Sequence, residues 1–180
     1  MAWLTPDAHT EAVEAAREVV LRRLDRSAAP RAALAELLTR NGTDPRVAGE
    51  VLDRLEAAGV IDDDAYAARL ARTRFAEKGA ARRAIADELR RKGLGERSVT
   101  AALAQIDGED EAGAALALAR KKLIATRGLD PTVRRRRAAA VLGRKGYSAS
   151  VAMGAVSRAM AEEDEAIYED EAAPEETGLG

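Results

Sequence analysis

The sequence predicts an all-α protein made of three tandem three-helix repeats that form an elongated, curved array. Three observations carry that expectation. No segment alternates β-branched or aromatic residues with polar ones, as a strand would. Helix punctuation recurs along the chain, at Pro30, Asn41-Gly42, Asp44-Pro45, Gly59, Gly79, Gly93, Gly108, Gly128, Asp130-Pro131 and Gly146. One segment also recurs three times, as RAALAELLTRNGT (31–43), RRAIADELRRKGL (82–94) and RRRAAAVLGRKGY (135–147).

Aligned on Gly42, Gly93 and Gly146, each copy has leucine four residues earlier, at Leu38, Leu89 and Leu142. Eight residues earlier each has an apolar residue, at Leu34, Ile85 and Ala138, and two earlier each has arginine, at Arg40, Arg91 and Arg144. Positions four and eight apart share one helical face, so that face is the expected buried one. In chain order, a long helix is expected over 10–27, with Val13, Ala16, Val20 and Leu24 as its apolar stripe. The first copy follows and stops at Asn41-Gly42, because glycine accepts the left-handed conformation that ends a helix. Asp44-Pro45 then opens a helix over 45–58, with Asp as N-cap and Pro at the first helical position. Its apolar face is Val47, Val51, Leu52 and Leu55. The second repeat should have a long helix over 63–78 carrying Tyr66, Leu70 and Phe75, then the second copy, then a helix over 96–106. The third should have a long helix over 109–127, the third copy after Asp130-Pro131, and a helix over 149–160. The expected repeats are therefore 10–61, 62–107 and 108–160. Such arrays bury each repeat on its neighbour and present extended binding surfaces, so a long partner is expected and a catalytic pocket is not.

The formal net charge of −2 hides an asymmetry. No Lys or Arg follows Arg158, and the last twenty residues hold nine acids, from Glu162 to Glu176. Residues 1–160 carry a net charge of +7. A basic body points to an anionic partner; the alternative is an arginine-rich composition inherited from a GC-rich genome. Residues 161–180 read as an acidic, disordered tail. One further expectation is that this tail folds back over the basic body and weakens its hold on phosphates. The chain has no cysteine, which fits a reducing compartment. The first residues show no basic segment followed by an apolar run, and no apolar stretch approaches the roughly 20 residues of a membrane span. A soluble, cytoplasmic protein is expected.

Three consecutive aspartates, Asp62, Asp63 and Asp64, pose the main question about chemistry. At a helix start, carboxylates accept free backbone N–H groups and complement the helix dipole. A metal site would need converging ligands from elsewhere, and the other acidic group of the body, Glu109-Asp110-Glu111, also sits at a helix start. Capping is the expected role, with a partner contact as the alternative. His9 has no second histidine or cysteine to work with. Phosphate-binding glycine loops and a nucleophile elbow are both absent from the sequence. A non-enzyme without metal or cofactor is expected.

The basic clusters carry more. Arg134, Arg135, Arg136 and Arg137 fall in the first turns of a helix, where cations oppose the dipole by about 0.3–1 kcal/mol each when exposed. A run that breaks a local rule suggests an anionic or acidic partner, although arginine side chains can also snorkel and merely solubilise. Arg82, Arg83, Arg90, Arg91 and Lys92 flank the second repeat's middle helix, with Asp87 able to pair with Arg83 or Arg90. Arg91, Lys92, Arg40, Arg144 and Lys145 lie at helix C-termini, where cations are favoured for structural reasons alone. Arg69, Arg72 and Arg74, and Arg120, Lys121 and Lys122, add charge to the long helices. Aromatics are too scarce to stack single-stranded bases, so any nucleic-acid contact should rest on backbone charge.

LEAAGVIDDDAYAARLARTR followed by RRAIADELRRKGL resembles the signature of the RecX family, regulators of the RecA recombinase. The matching residues are Gly59, Val60, Ile61, Asp62, Asp63, Tyr66, Ala67, Arg74, Ile85, Glu88, Leu89, Lys92 and Gly93. LGRKGYS (142–148) is similar to the family as well, and the resemblance spans roughly 12–160. The chain departs from the pattern at Pro30 and Ala33-Leu34, where the family has Ser and Glu-Leu. It departs again at Gly79-Ala80-Ala81-Arg82, where the family has Gly-Tyr-Gly-Pro. The resemblance implies a three-helix repeat protein of DNA recombination, repair and the SOS response. It implies binding along the groove of the RecA filament on single-stranded DNA, in touch with more than one subunit; a monomer suits such a groove-filling array, and weaker direct DNA contact is a further expectation. It further implies inhibition of ATP hydrolysis, strand exchange and filament growth, without covalent chemistry. The alternative is a helical repeat protein that binds nucleic acid independently of RecA.

Overall fold

A computed structural model describes residues 7–172. Among the described residues there are nine helices and no strand: α1 (Ala8–Leu24), α2 (Arg31–Arg40), α3 (Pro45–Ala57), α4 (Asp63–Lys78), α5 (Arg82–Arg91), α6 (Glu96–Leu103), α7 (Gly108–Ile124), α8 (Pro131–Arg144) and α9 (Ala149–Ala172). The all-α class and its helical repeats are as the sequence predicts.

The caps explain where the helices start. Asp44 accepts the Arg46 N–H at 2.8 Å, and Asp130 accepts the Thr132 N–H at 2.8 Å, each followed by proline at the first helical position. Asp107 and Asp110 form a reciprocal capping box at α7. The stops repeat three times. After α2, α5 and α8, the glycines Gly42, Gly93 and Gly146 take φ of 73°, 80° and 92°. In each, the next residue's N–H bonds back to the leucine carbonyl: Thr43 to Leu38 at 3.1 Å, Leu94 to Leu89 at 3.2 Å and Tyr147 to Leu142 at 3.2 Å. This is the Schellman closure, which satisfies carbonyls the helix leaves free. The aligned residues Leu34, Ile85, Ala138, Leu38, Leu89 and Leu142 are all fully buried. Burying each of the leucines and the isoleucine contributes roughly 1.5–3 kcal/mol.

The chain divides into two compact units. In the first, made of residues up to Thr73 together with Ile85–Gln105, helices α1, α2 and α3 pack on one another. Their core holds Val13, Val20, Leu34, Leu38, Val51 and Leu55. In the second, made of Arg74–Ala84 and the residues from Ile106 onward, α7, α8 and α9 pack around Leu116, Leu123, Leu142, Tyr147 and Val156. Burial raises the Tyr147 phenol to about 12, with the Glu111 charge adding to it, and its hydroxyl donates to the Gly79 carbonyl at 3.2 Å.

Two expectations are corrected. On α4 the fully buried stripe is Ala67 and Ala71, while Tyr66, Leu70 and Phe75 are half-buried. Small side chains let a neighbouring backbone come close, which a search for large apolar residues overlooks. The acidic segment expected to be disordered from residue 161 continues α9 as far as Ala172. The start of this continuation is held by ion pairs: Glu162 and Glu163 find arginine partners on α7, on α8, on the loop after α7 and on α9 itself. The rest of that segment lies outside the described residues.

Candidate interaction surfaces

The three aspartates each do something different. Asp62 accepts the Ala65 N–H at 2.8 Å and caps its own helix. Asp63 accepts the Arg31 N–H at 2.8 Å and caps α2, thirty-two residues earlier. Asp64 receives Arg97 at 2.7 Å and the Ser98 hydroxyl at 2.5 Å, both on α6. The second unit repeats the device, since Glu111 on α7 accepts the Arg82 N–H that opens α5, at 2.9 Å. Among the described residues no group of three or more acidic or histidine side chains is arranged to hold a metal ion. His9 contacts Glu50 on α3 at 2.9 Å.

In the first unit, a groove is lined by Arg23, Ala32, Tyr66, Arg91, Lys92 and Gly93 among others. Arg91 and Lys92 form no ion pair among the described residues, whereas Arg90 is held by Glu96 at 2.6 Å and by Asp87 at 3.5 Å. The Glu96 contact raises the Arg90 guanidinium and lowers the Glu96 carboxyl from their usual ranges. Arg69 lies over the Tyr66 ring, 6.0 Å from its centre, and Arg72 donates to Gln105 at 2.9 Å. Arg23 joins this groove with no signal in the sequence beyond its place in the last turn of α1.

In the second unit, the four-arginine run splits. Arg134 is 14% exposed, paired with Glu163 of α9, and donates to the Leu123 carbonyl at 3.0 Å, so it faces the negative end of α7. Its Nε is buried and finds no partner among the described residues. Arg135, Arg136 and Arg137 are exposed and unpaired there, as are Arg83, Lys121 and Arg144. Lys122 is half-buried and unpaired. Lys145 donates to the Lys78 carbonyl. Arg120 is paired with Glu162 at 2.8 Å, which raises its guanidinium further. Arg74 and Arg82 are half-buried.

Comparison with known proteins identifies the family. Residues 62–103 match the second three-helix domain of RecX, and residues 109–156 match the third. A "Regulatory protein RecX" of Streptomyces coelicolor is 43% identical over 153 residues, covering 85% of this chain and 81% of that protein. The chain belongs to the RecX family. A second RecX regulatory protein, from Thermobifida fusca, is 39% identical over 89% of this chain and 86% of its own length. A crystal structure of regulatory protein RecX matches with a TM-score of 0.72 at 27% identity, covering 84% of this chain and 78% of that one. RecX from Lactobacillus salivarius matches in fold with a TM-score of 0.75 at 17% identity, over 83% of this chain and 97% of that one. In this RecX chain the signature residues have structural work: Asp62 and Asp63 cap two helices, Ile85 and Leu89 fill the core, and Gly93 closes α5.

Proposed function

We propose that this RecX chain modulates the RecA recombinase, mainly as an inhibitor. It would bind as a monomer along the RecA filament on single-stranded DNA and limit ATP hydrolysis, strand exchange and filament growth. The observation that carries the reading is 43% identity to a RecX regulatory protein across 81% of that protein's length. The surface supports it. Arg91 and Lys92 in one unit, and Lys121, Arg135, Arg136, Arg137 and Arg144 in the other, leave charge available to an anionic partner. Action by binding fits the aspartates, all three of which are engaged in caps or an ion pair. The repeats are assigned to 10–61, 62–107 and 108–160. A cytoplasmic location is assigned to a chain in which no helix among the described residues is long and apolar enough to cross a membrane.

The test is a titration of RecA's single-strand-dependent ATPase, run beside binding to bare single-stranded DNA. Inhibition well below the concentration that coats bare DNA is the expected result. Inhibition that appears only as DNA is coated would replace the proposal with RecA-independent nucleic-acid binding. No inhibition at stoichiometric excess would overturn it.

A further inference from the structure

The third helix of the last repeat is longer than its counterparts. α3 has 13 residues and α6 has 8, whereas α9 has 24. The match to the third RecX domain ends at residue 156, so the additional turns lie beyond it. These turns carry the first acids after the charge reversal. Glu162 takes Arg120 at 2.8 Å and Arg158 at 3.1 Å, while Glu163 takes Arg127 at 3.0 Å and Arg134. Two carboxylates thus occupy four guanidinium groups. Both carboxyls are held below the usual glutamate range, chiefly by their hydrogen bonds to Arg120 and Arg134 respectively.

Apolar burial does not hold this extension down. Of the α9 side chains described, as far as Tyr168, the last fully buried one is Ala159, while Ile124 and Ile167, on the two walls of the cleft between α7 and the extension, are 56% and 53% exposed. Charge is the main attachment: the arginine sides of the Arg120, Arg127 and Arg158 pairs are solvent-exposed and those pairs weaken with salt, while the Arg134–Glu163 pair is largely buried and is screened less. Arg120, Arg127 and Arg158 are 50%, 66% and 71% exposed, so an external anion can reach them from solvent. A phosphodiester offers arginine the same charged, paired oxygens that a carboxylate does.

We propose that the acidic end of α9 is an intramolecular competitor that covers a phosphate-binding face of the second unit. Its Glu162 and Glu163 carboxylates stand in for the phosphates of a single-stranded nucleic acid. Displacing them frees Arg120, Arg127 and Arg158 for the strand, while the half-buried Arg134 keeps its bond to the Leu123 carbonyl. This goes beyond the filament reading and can be tested without RecA.

The experiment measures labelled single-stranded DNA binding by the full chain across a salt series, with folding checked by circular dichroism. E162Q–E163Q is compared with D164N–E165Q, which removes the same charge from neighbouring positions that form no ion pair among the described residues. The expected result is affinity raised at least about fivefold by E162Q–E163Q, with a salt slope steeper by about 2 for three released arginines. The control should change affinity less than about twofold. Should E162Q–E163Q not fold, E162Q alone is set against D164N, with tighter binding by E162Q expected. Equal effects of variant and control would reduce the extension to general repulsion and overturn the proposal. So would unchanged DNA affinity, including the case in which only inhibition of RecA filaments strengthens, which would assign the face to an acidic protein surface.

Discussion

Asp62, Asp63 and Asp64 are chemically identical neighbours separated by where their carboxylates reach. Asp62 serves its own helix, Asp63 serves α2 and Asp64 ties α4 to α6. Losing a side-chain cap costs about 0.5–2 kcal/mol. Asp63→Ala should therefore lower stability in urea by about 1 kcal/mol and speed amide exchange at the start of α2, from Arg31. Asp62→Ala should cost a similar amount but loosen the start of α4, at Ala65. Matching exchange changes in the two variants would sink this division of labour. Arg97, the Asp64 partner, is 88% exposed, so that pair should contribute less than either cap.

At the scale of the element, the thrice-used Schellman closure does more than end a helix. A Cβ added at Gly146 would meet the Ala84 Cβ at 2.5 Å and the Ala84 N at 3.2 Å, because the end of α8 lies against Ala84 in the opening residues of α5. The Ala81 N–H also donates to the Lys145 carbonyl there, at 2.9 Å. Gly42 has the same left-handed φ but open space around it. Gly42→Ala should thus cost about 1–2 kcal/mol, from backbone conformation alone. Gly146→Ala should cost about 1–3 kcal/mol more, from forced displacement at Ala84. Urea midpoints measure the difference, and equal destabilisation would show that the close approach relaxes at no expense.

For the whole molecule, the deciding matter is which cations remain available once the chain has folded. Arg135, Arg136 and Arg137 are exposed and unpaired among the described residues, while their neighbour Arg134 is built into the fold. Replacing all three with alanine should leave thermal stability nearly unchanged, as exposed substitutions usually do. Every phosphate that is no longer neutralised should lower the single-strand salt slope by about 0.7, so a fall of about 2 is expected if all three arginines reach the strand. On the proposed function, the same variant should need more protein to inhibit RecA. A triple variant with wild-type salt slope and wild-type inhibition would move the binding face to other residues.

The helices, the caps at Asp44, Asp62 and Asp130, the glycine stops, and the helical face shared by Leu34, Leu38, Ile85, Leu89, Ala138 and Leu142 were legible in the sequence. They depend on interactions within a few residues, where spacing along the chain is spacing in space. The resemblance to RecX was legible because its signature residues, Asp62 and Gly93 among them, stand at fixed spacings along the chain. Only the tertiary structure could assign Asp63 to α2, make alanines the buried stripe of α4, and carry α9 past residue 160. Only it could sort the seventeen candidate cations into those held by the fold, such as Arg90, Arg120 and Arg134, and those left exposed. Glu162 meets Arg120 across 42 residues of chain and Asp63 meets Arg31 across 32. Such partners are chosen by how the helices pack, and charge pattern along one helix holds no record of that choice.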